Sequence, residues 1–85
     1  MKEEWVGFLD YKFDKPLLVE ITYQVAYVDI NVPELEIGGR GFEMMDALMS
    51  LRRQFEVELK HNTESRWSEL RRLNGIREKV VEDSQ

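Results

Sequence analysis

A chain of 85 residues, 42% of them hydrophobic and 34% charged, has room for one domain and is too apolar to be disordered. At this size folding hides only roughly 60–65% of the surface that the unfolded chain exposes. The absence of cysteine excludes disulfide staples and thiolate metal sites, and the net charge of −5 disfavours a broad phosphate-binding surface.

The charge is unevenly placed. Through Arg40 there are four basic residues against eight acidic ones, whereas Arg66 to Lys79 holds five basic against two acidic. The first part repels phosphate, and the second is short and mixed, as a solvated helix face would be. The start, "MKEEWVGF", contains no apolar signal core, and no run approaches the ~20 apolar residues that span a bilayer. A cytoplasmic protein with no membrane partner is expected.

In chain order, residues 5–13 read as a strand, with Trp5, Leu9, Tyr11 and Phe13 on one face and Val6, Phe8, Asp10 and Lys12 on the other. The stretch Asp14 to Pro16 reads as the turn that closes a hairpin, because aspartate tolerates turn geometry and proline presets φ. Residues 17–32 form one long run. Its apolar set lies at Val19, Ile21, Tyr23, Val25 and Tyr27 and then switches parity to Val28, Ile30 and Val32, a slip that a β-bulge would repair. Pro33 and Glu34 read as a second turn, and residues 35–38 as a short third strand.

At Phe42 the period changes to about 3.6. Met45, Leu48, Leu51 or Arg52, Phe55 and Leu59 recur at spacings of three and four, which predicts an amphipathic helix over 42–60. "HNTES" interrupts it, and Trp67, Leu70 and Leu73 define a second helix over 65–74, stopped at Gly75. The tail from residue 76 forms a further short helix or frays. The expected architecture is a two-layer α+β domain, a three-stranded antiparallel sheet followed by a long amphipathic helix and a shorter second one.

Three glycines, Gly38, Gly39 and Gly41, stand between strand and helix and raise the question of a phosphate cradle. A cradle needs free N–H groups at a helix start, usually completed by lysine and a hydroxyl residue. Here Phe42 and Glu43 follow, and Glu43 and Asp46 already complement the helix dipole by roughly 0.3–1 kcal/mol each. The glycines instead let the strand bend and the helix pack close, and Gly41 is expected at a close approach that a side chain would disturb.

No catalytic constellation assembles. His61 is the single histidine and sits at a helix end, where a cap or dipole role fits. Glu34 and Glu36 share a face and could be imagined around Mg²⁺, yet a solvated sheet face explains them equally, so no catalytic residue, metal or cofactor is assigned. Val6 and Phe8, on the face of the first strand turned away from the core, are read as a self-association edge favouring a homodimer.

The segments "AYVDINVPEL" (Ala26 to Leu35) and "GFEMMDAL" (Gly41 to Leu48) resemble HicB-like antitoxins. In that family an alternating strand ends in a Val-Pro-acidic-Leu turn, and a glycine precedes a helix opening with acidic-Ala-Leu. The family's Pro-Gly after the turn is replaced by Glu36 and Ile37, and no helix-turn-helix segment follows. The resemblance implies a degenerate RNase H-like sheet that covers a toxin and is not an active nuclease, and the departures from the family pattern do not support the DNA binding that the family often adds. The functional expectation is a non-enzymatic inhibitor (antitoxin, immunity protein or phage anti-defence protein). It would meet a basic protein partner through an acidic face of Glu20, Asp29, Glu34 and Glu36. The alternative is a small regulatory domain that binds a ligand or nucleic acid through the basic second helix and the segment after it, with Arg66, Arg71, Arg72 and Arg77. Trp67, Arg71 and Arg72 form the alternative interface, although a tryptophan in step with Leu70 and Leu73 also suits the protein's own core.

Overall fold

The computed structural model describes residues 1–77. Their order is β1 (Lys2–Phe8), β2 (Tyr11–Tyr23), β3 (Val28–Val32), a 3-10 turn (Pro33–Leu35), β4 (Ile37–Gly41), α1 (Met44–His61) and α2 (Ser65–Leu73). The strands form one antiparallel sheet in the order β1-β2-β3-β4, with the helices packed on it. The α+β fold and both helices agree with the sequence reading. The sheet has four strands rather than three, and among the described residues none follows the helices. Most of the tail expectation lies outside the described residues.

The missing strand was hidden inside the run 17–32. The chain reverses at residues 24–27, where the Gln24 N–H donates to the Tyr27 carbonyl at 2.8 Å, and the register pairs Tyr23 with Val28, Ile21 with Ile30 and Glu20 with Asn31. The odd positions Leu17, Val19 and Ile21 and the even positions Val28, Ile30 and Val32 are all buried. The parity switch therefore marks a hairpin rather than a bulge: folding the chain back on itself brings an odd set and an even set to the same face.

The first hairpin closes earlier than expected. Phe8 pairs with Tyr11 across Leu9 and Asp10, and Leu9 takes a φ of 53°. The turn signal at Asp14 to Pro16 lies within β2, at an irregularity. Trp5 pairs with Leu17 but Gly7 pairs with Lys12, so Phe13 to Pro16 bulge opposite Val6 alone. Proline is tolerated there because the ladder is already interrupted. The same irregularity flips the parity of β1. Phe8 turns into the core at 6% exposure, while Leu9 turns out.

The third predicted strand is displaced. Leu35 is buried as part of the 3-10 turn, and Glu36 adopts a left-handed φ of 56° with its N–H bonded to the Pro33 carbonyl, so β4 begins only at Ile37. The tight turn reverses the chain, and β4 then pairs with β3 from Ile37 opposite Val32 to Gly41 opposite Val28.

The core fills the space between sheet and helices. Ala47, Leu51, Phe55 and Leu59 form the buried stripe of α1, and α2 adds Trp67 and Leu70. Phe55 is the hub. Its ring lies 5.3 Å from Phe8 edge-on, 4.8 Å from Tyr11, 6.1 Å from Phe13 and 5.3 Å from Trp67, spacings at which aromatic pairs add to burial. Arg71, 6% exposed, donates through Nη1 to the Leu59 and Asn62 carbonyls at 2.7 and 2.8 Å and through Nη2 to Ser68 Oγ at 2.9 Å. It places a cation at the negative end of α1, where the last carbonyls lack helical partners.

Two charge clusters fix the helices to the first hairpin. The Arg66 guanidinium hydrogen-bonds Asp14 at 2.6 Å and holds its carboxyl below the ordinary value. The Tyr11 hydroxyl donates to Glu56, which Arg52 also binds at 3.1 Å. The tyrosine bond first and the arginine second keep the Glu56 carboxyl low. Burial, reinforced by Glu56, pushes the Tyr11 hydroxyl up. Both carboxylates have folded values below their unfolded ones. Their stabilisation is therefore complete above the ordinary carboxyl range of about pH 4–4.5 and is lost as pH falls through the folded values. A melting temperature measured from pH 7 to pH 3 is expected to fall most steeply below about pH 4.5, and less steeply in a Glu56→Gln, Asp14→Asn double variant. Parallel acid profiles for the two proteins would contradict this.

Candidate protein-binding surface

In an antiparallel pair, successive residues alternate between bonding the neighbouring strand and pointing their backbone groups away from it. At the start of β1 the phase of that alternation is set by Met1, which donates to the Ile21 carbonyl at 2.8 Å and accepts from the Ile21 N–H at 2.7 Å. Glu3, opposite Val19, and Trp5, opposite Leu17, continue the bonded series. The N–H and C=O groups of Lys2 and Glu4 therefore point out of the sheet, and the alternation ends at the irregularity after Trp5. Among the described residues no strand lies beside them.

The other edge strand is treated differently. On β4 the Gly38 N–H meets Gln54 Oε1 of α1 at 3.5 Å, and α1 lies directly on Gly39 and Gly41. A Cβ on Gly39 would fall on the backbone of Ala47 and Leu51, and one on Gly41 would fall on Asp46 and Ala47. The close approach expected at Gly41 is present, and Gly39 shares it. The helix is thus pulled over β4 and away from β1.

This displacement leaves an apolar strip along β1. Met45, Leu48, Met49 and Arg52 recur at helical spacing on one flank of α1, and Arg52 reaches Asp10 at the tip of the first hairpin at 3.3 Å, so the flank faces β1 and β2. Leu48 lines a shallow groove with residues 4–9 of β1 and its turn. Leu48 and Trp5 are only half-buried against the core, Met45 is 58% exposed and Met49 is exposed. Val6, at 67% exposure, and Leu9 continue the strip along the edge. Glu3 and Glu4 border it, and Glu3 accepts the Trp5 indole N–H at 2.9 Å.

The structure disperses the residues singled out from sequence. Val6 is exposed on the edge as expected, but Phe8 is core and takes no part in it, because the irregularity after Trp5 reverses the face. Glu20 and Asp29 share the open face of the sheet, where Glu20 accepts from Asn31 at 3.4 Å and Asp29 pairs with Arg40 at 3.3 Å. Glu34 lies at the 3-10 turn, near Lys15 at 3.6 Å and Arg66 at 3.8 Å. Glu36 is exposed beside it. The four acids are thus split between the sheet face and a corner rather than gathered on one face.

The alternative interface is corrected more fully. Trp67 is 2% exposed in the aromatic cluster, and Arg71 is buried at the end of α1, because the turn at 62–64 folds α2 back against the same core. Arg72 and Arg77 are exposed, whereas Arg66 is bound to Asp14. The basic segment does not form one continuous cationic face. The sequence reading missed Trp5, Met45, Leu48 and Met49 as a surface.

No helix of the described residues is long and apolar enough to cross a membrane, and no group of three metal-ligating side chains forms among them. No protein-family model, curated protein or solved structure matches the chain.

Proposed function

We propose that this protein is a non-enzymatic protein-binding module that neutralises a basic partner, in the manner of an antitoxin, an immunity protein or a phage anti-defence inhibitor. The observation that carries the reading is the open β1 edge beside the uncovered flank of α1. Ladder groups and apolar side chains are presented together there, and a partner that covers both gains hydrogen bonds and burial at once. Methionines suit such a surface because their unbranched, polarisable side chains repack around differing partners. The resemblance to HicB-like antitoxins supports the same class. The residues that carry it build β3, the 3-10 turn and the start of α1. The net charge of −5 and the carboxylates bordering the strip favour a basic partner through complementary fields.

The test is capture from the native host with the wild-type chain and with a Met45→Lys, Met49→Lys variant, followed by mass spectrometry. A basic protein retained by the first and lost from the second is expected, with retention weakening as salt shortens the Debye length from about 10 Å to 3 Å. The same proteins retained by both chains, independent of salt, would overturn the reading.

A further inference from the structure

We infer that a second copy of this chain covers the β1 edge, pairing antiparallel with it so that Lys2 of each copy lies opposite Glu4 of the other. This goes beyond the protein-binding reading and does not depend on it: the strip that a partner would cover is closed by self-association when no partner is bound.

The register follows from the backbone. Lys2 and Glu4 are the two positions of β1 whose N–H and C=O groups point out of the sheet before the irregularity after Trp5. An antiparallel neighbour exchanges both bonds between directly opposed outward residues. Two copies can therefore set Lys2 against Lys2, Glu4 against Glu4, or Lys2 against Glu4. The first two registers oppose like charges, which destabilises a strand pair. The third alone uses both outward positions of both copies, and it opposes unlike charges twice about a two-fold axis at Glu3.

Residues opposed across a ladder share a face. On β2, Leu18 is opposite Glu4 and Glu20 is opposite Lys2. Across the joined sheet the open face then reads Leu18, Glu4, Lys2 and Glu20, the last two from the second copy, so each Lys2 stands between two carboxylates. On the helix side the same register sets Trp5 opposite Met1, which is 62% exposed in the single chain. A two-fold axis perpendicular to the sheet keeps both α1 helices on that side, and the Met45, Leu48 and Met49 flanks of the two copies face each other across it. Glu3 meets its own copy at the axis. Its carboxylate is turned along the strand to the Trp5 indole N–H at 2.9 Å, and the like charge there keeps the pair weak.

Sedimentation equilibrium of the wild-type chain is expected to show monomer and dimer, with a dissociation constant between about 10 µM and 1 mM. Glu4→Lys makes the chain less negative and would aid association if net charge governed it. The register instead sets a lysine against Lys2 twice, so association is expected to weaken at least about fivefold. Lys2→Glu is expected to weaken it as well, and the Lys2→Glu, Glu4→Lys double variant to return to within about threefold of wild type. Glu3→Gln removes the like charge at the axis and is expected to tighten the dimer. All three side chains are exposed, so circular dichroism is expected to be unchanged. The Lys2 and Glu4 amides, which exchange freely in the dilute monomer, are expected to gain protection as the dimer fills. A chain still monomeric at about 1 mM overturns the inference, as does a Glu4→Lys variant that associates as tightly as wild type. Dimers lost with Met45→Lys, Met49→Lys but indifferent to every charge variant also overturn it, because they would be joined by the flanks alone. A monomeric chain that still retains a basic protein leaves the protein-binding reading in place, and a dimer that retains none leaves the strand pairing in place and removes that reading.

Discussion

Phe8→Glu is expected to abolish the cooperative unfolding transition at 25 °C, while Val6→Glu, two residues earlier on the same strand, leaves it within about 1 kcal/mol of wild type. Phe8 is 6% exposed and packs on Tyr11, Phe13 and Phe55 at ring distances of 5.8, 6.0 and 5.3 Å. Removing a buried phenylalanine costs about 3–5 kcal/mol. The glutamate that replaces it is either ionised without a partner or protonated against its ordinary pKa, which adds a further penalty of several kcal/mol. A domain of this size holds about 5–10 kcal/mol in total, so the two costs exhaust it. Val6 stands 67% exposed and gives up little. Urea denaturation of both proteins checks the contrast. Two folded proteins of equal stability would show that Phe8 lies outside the core.

Gly39→Ala is expected to cost at least about 3 kcal/mol, at the upper end of the range for overpacking. That corresponds to a fall in melting temperature of roughly 12–24 °C at 4–8 °C per kcal/mol. The added Cβ would fall on the Leu51 nitrogen and the Ala47 carbonyl oxygen of α1, both backbone atoms in the middle of a helical turn. No rotamer change relieves that clash, so the helix must lift from β4 and part from Ile37 and Ile30 beneath it. Gly75 provides the control. Its φ of 76° penalises any side chain, but nothing lies within 4 Å of the added atom, so Gly75→Ala is expected to cost only about 1 kcal/mol. Equal thermal shifts for the two variants would contradict the close packing of α1 on β4.

The helices and the core stripe were legible in the sequence because their signals are local. Leu51, Phe55 and Leu59 repeat at helical spacing, and Gly75 follows the second helix directly. The hairpins were less legible. A parity switch looks the same whether a strand carries one extra residue or turns back on itself, and the second hairpin reverses through Gln24, Val25, Ala26 and Tyr27, without glycine or proline. The first turns through Leu9, a residue that rarely takes positive φ, while Asp14 to Pro16 display a turn signal spent on a bulge. One misplaced turn then reversed the assignment of Phe8. The binding surface was hidden for a related reason. Met45 and Leu48 read as part of a core stripe, and only the offset of α1 toward β4, enforced by Gly39 and Gly41, shows that this flank is left uncovered. The acidic residues were read as one face because strand pairing decides which of them are neighbours.

The central claim, that β1 offers an unsatisfied ladder edge, is tested most directly by amide hydrogen exchange of the free protein, residue by residue along β1. Protection is expected at Glu3 and Trp5, whose N–H groups bond β2, and exchange at least about tenfold faster at Lys2 and Glu4. Protection at all four positions in the monomer would contradict the account, because the edge would then be covered by the chain itself.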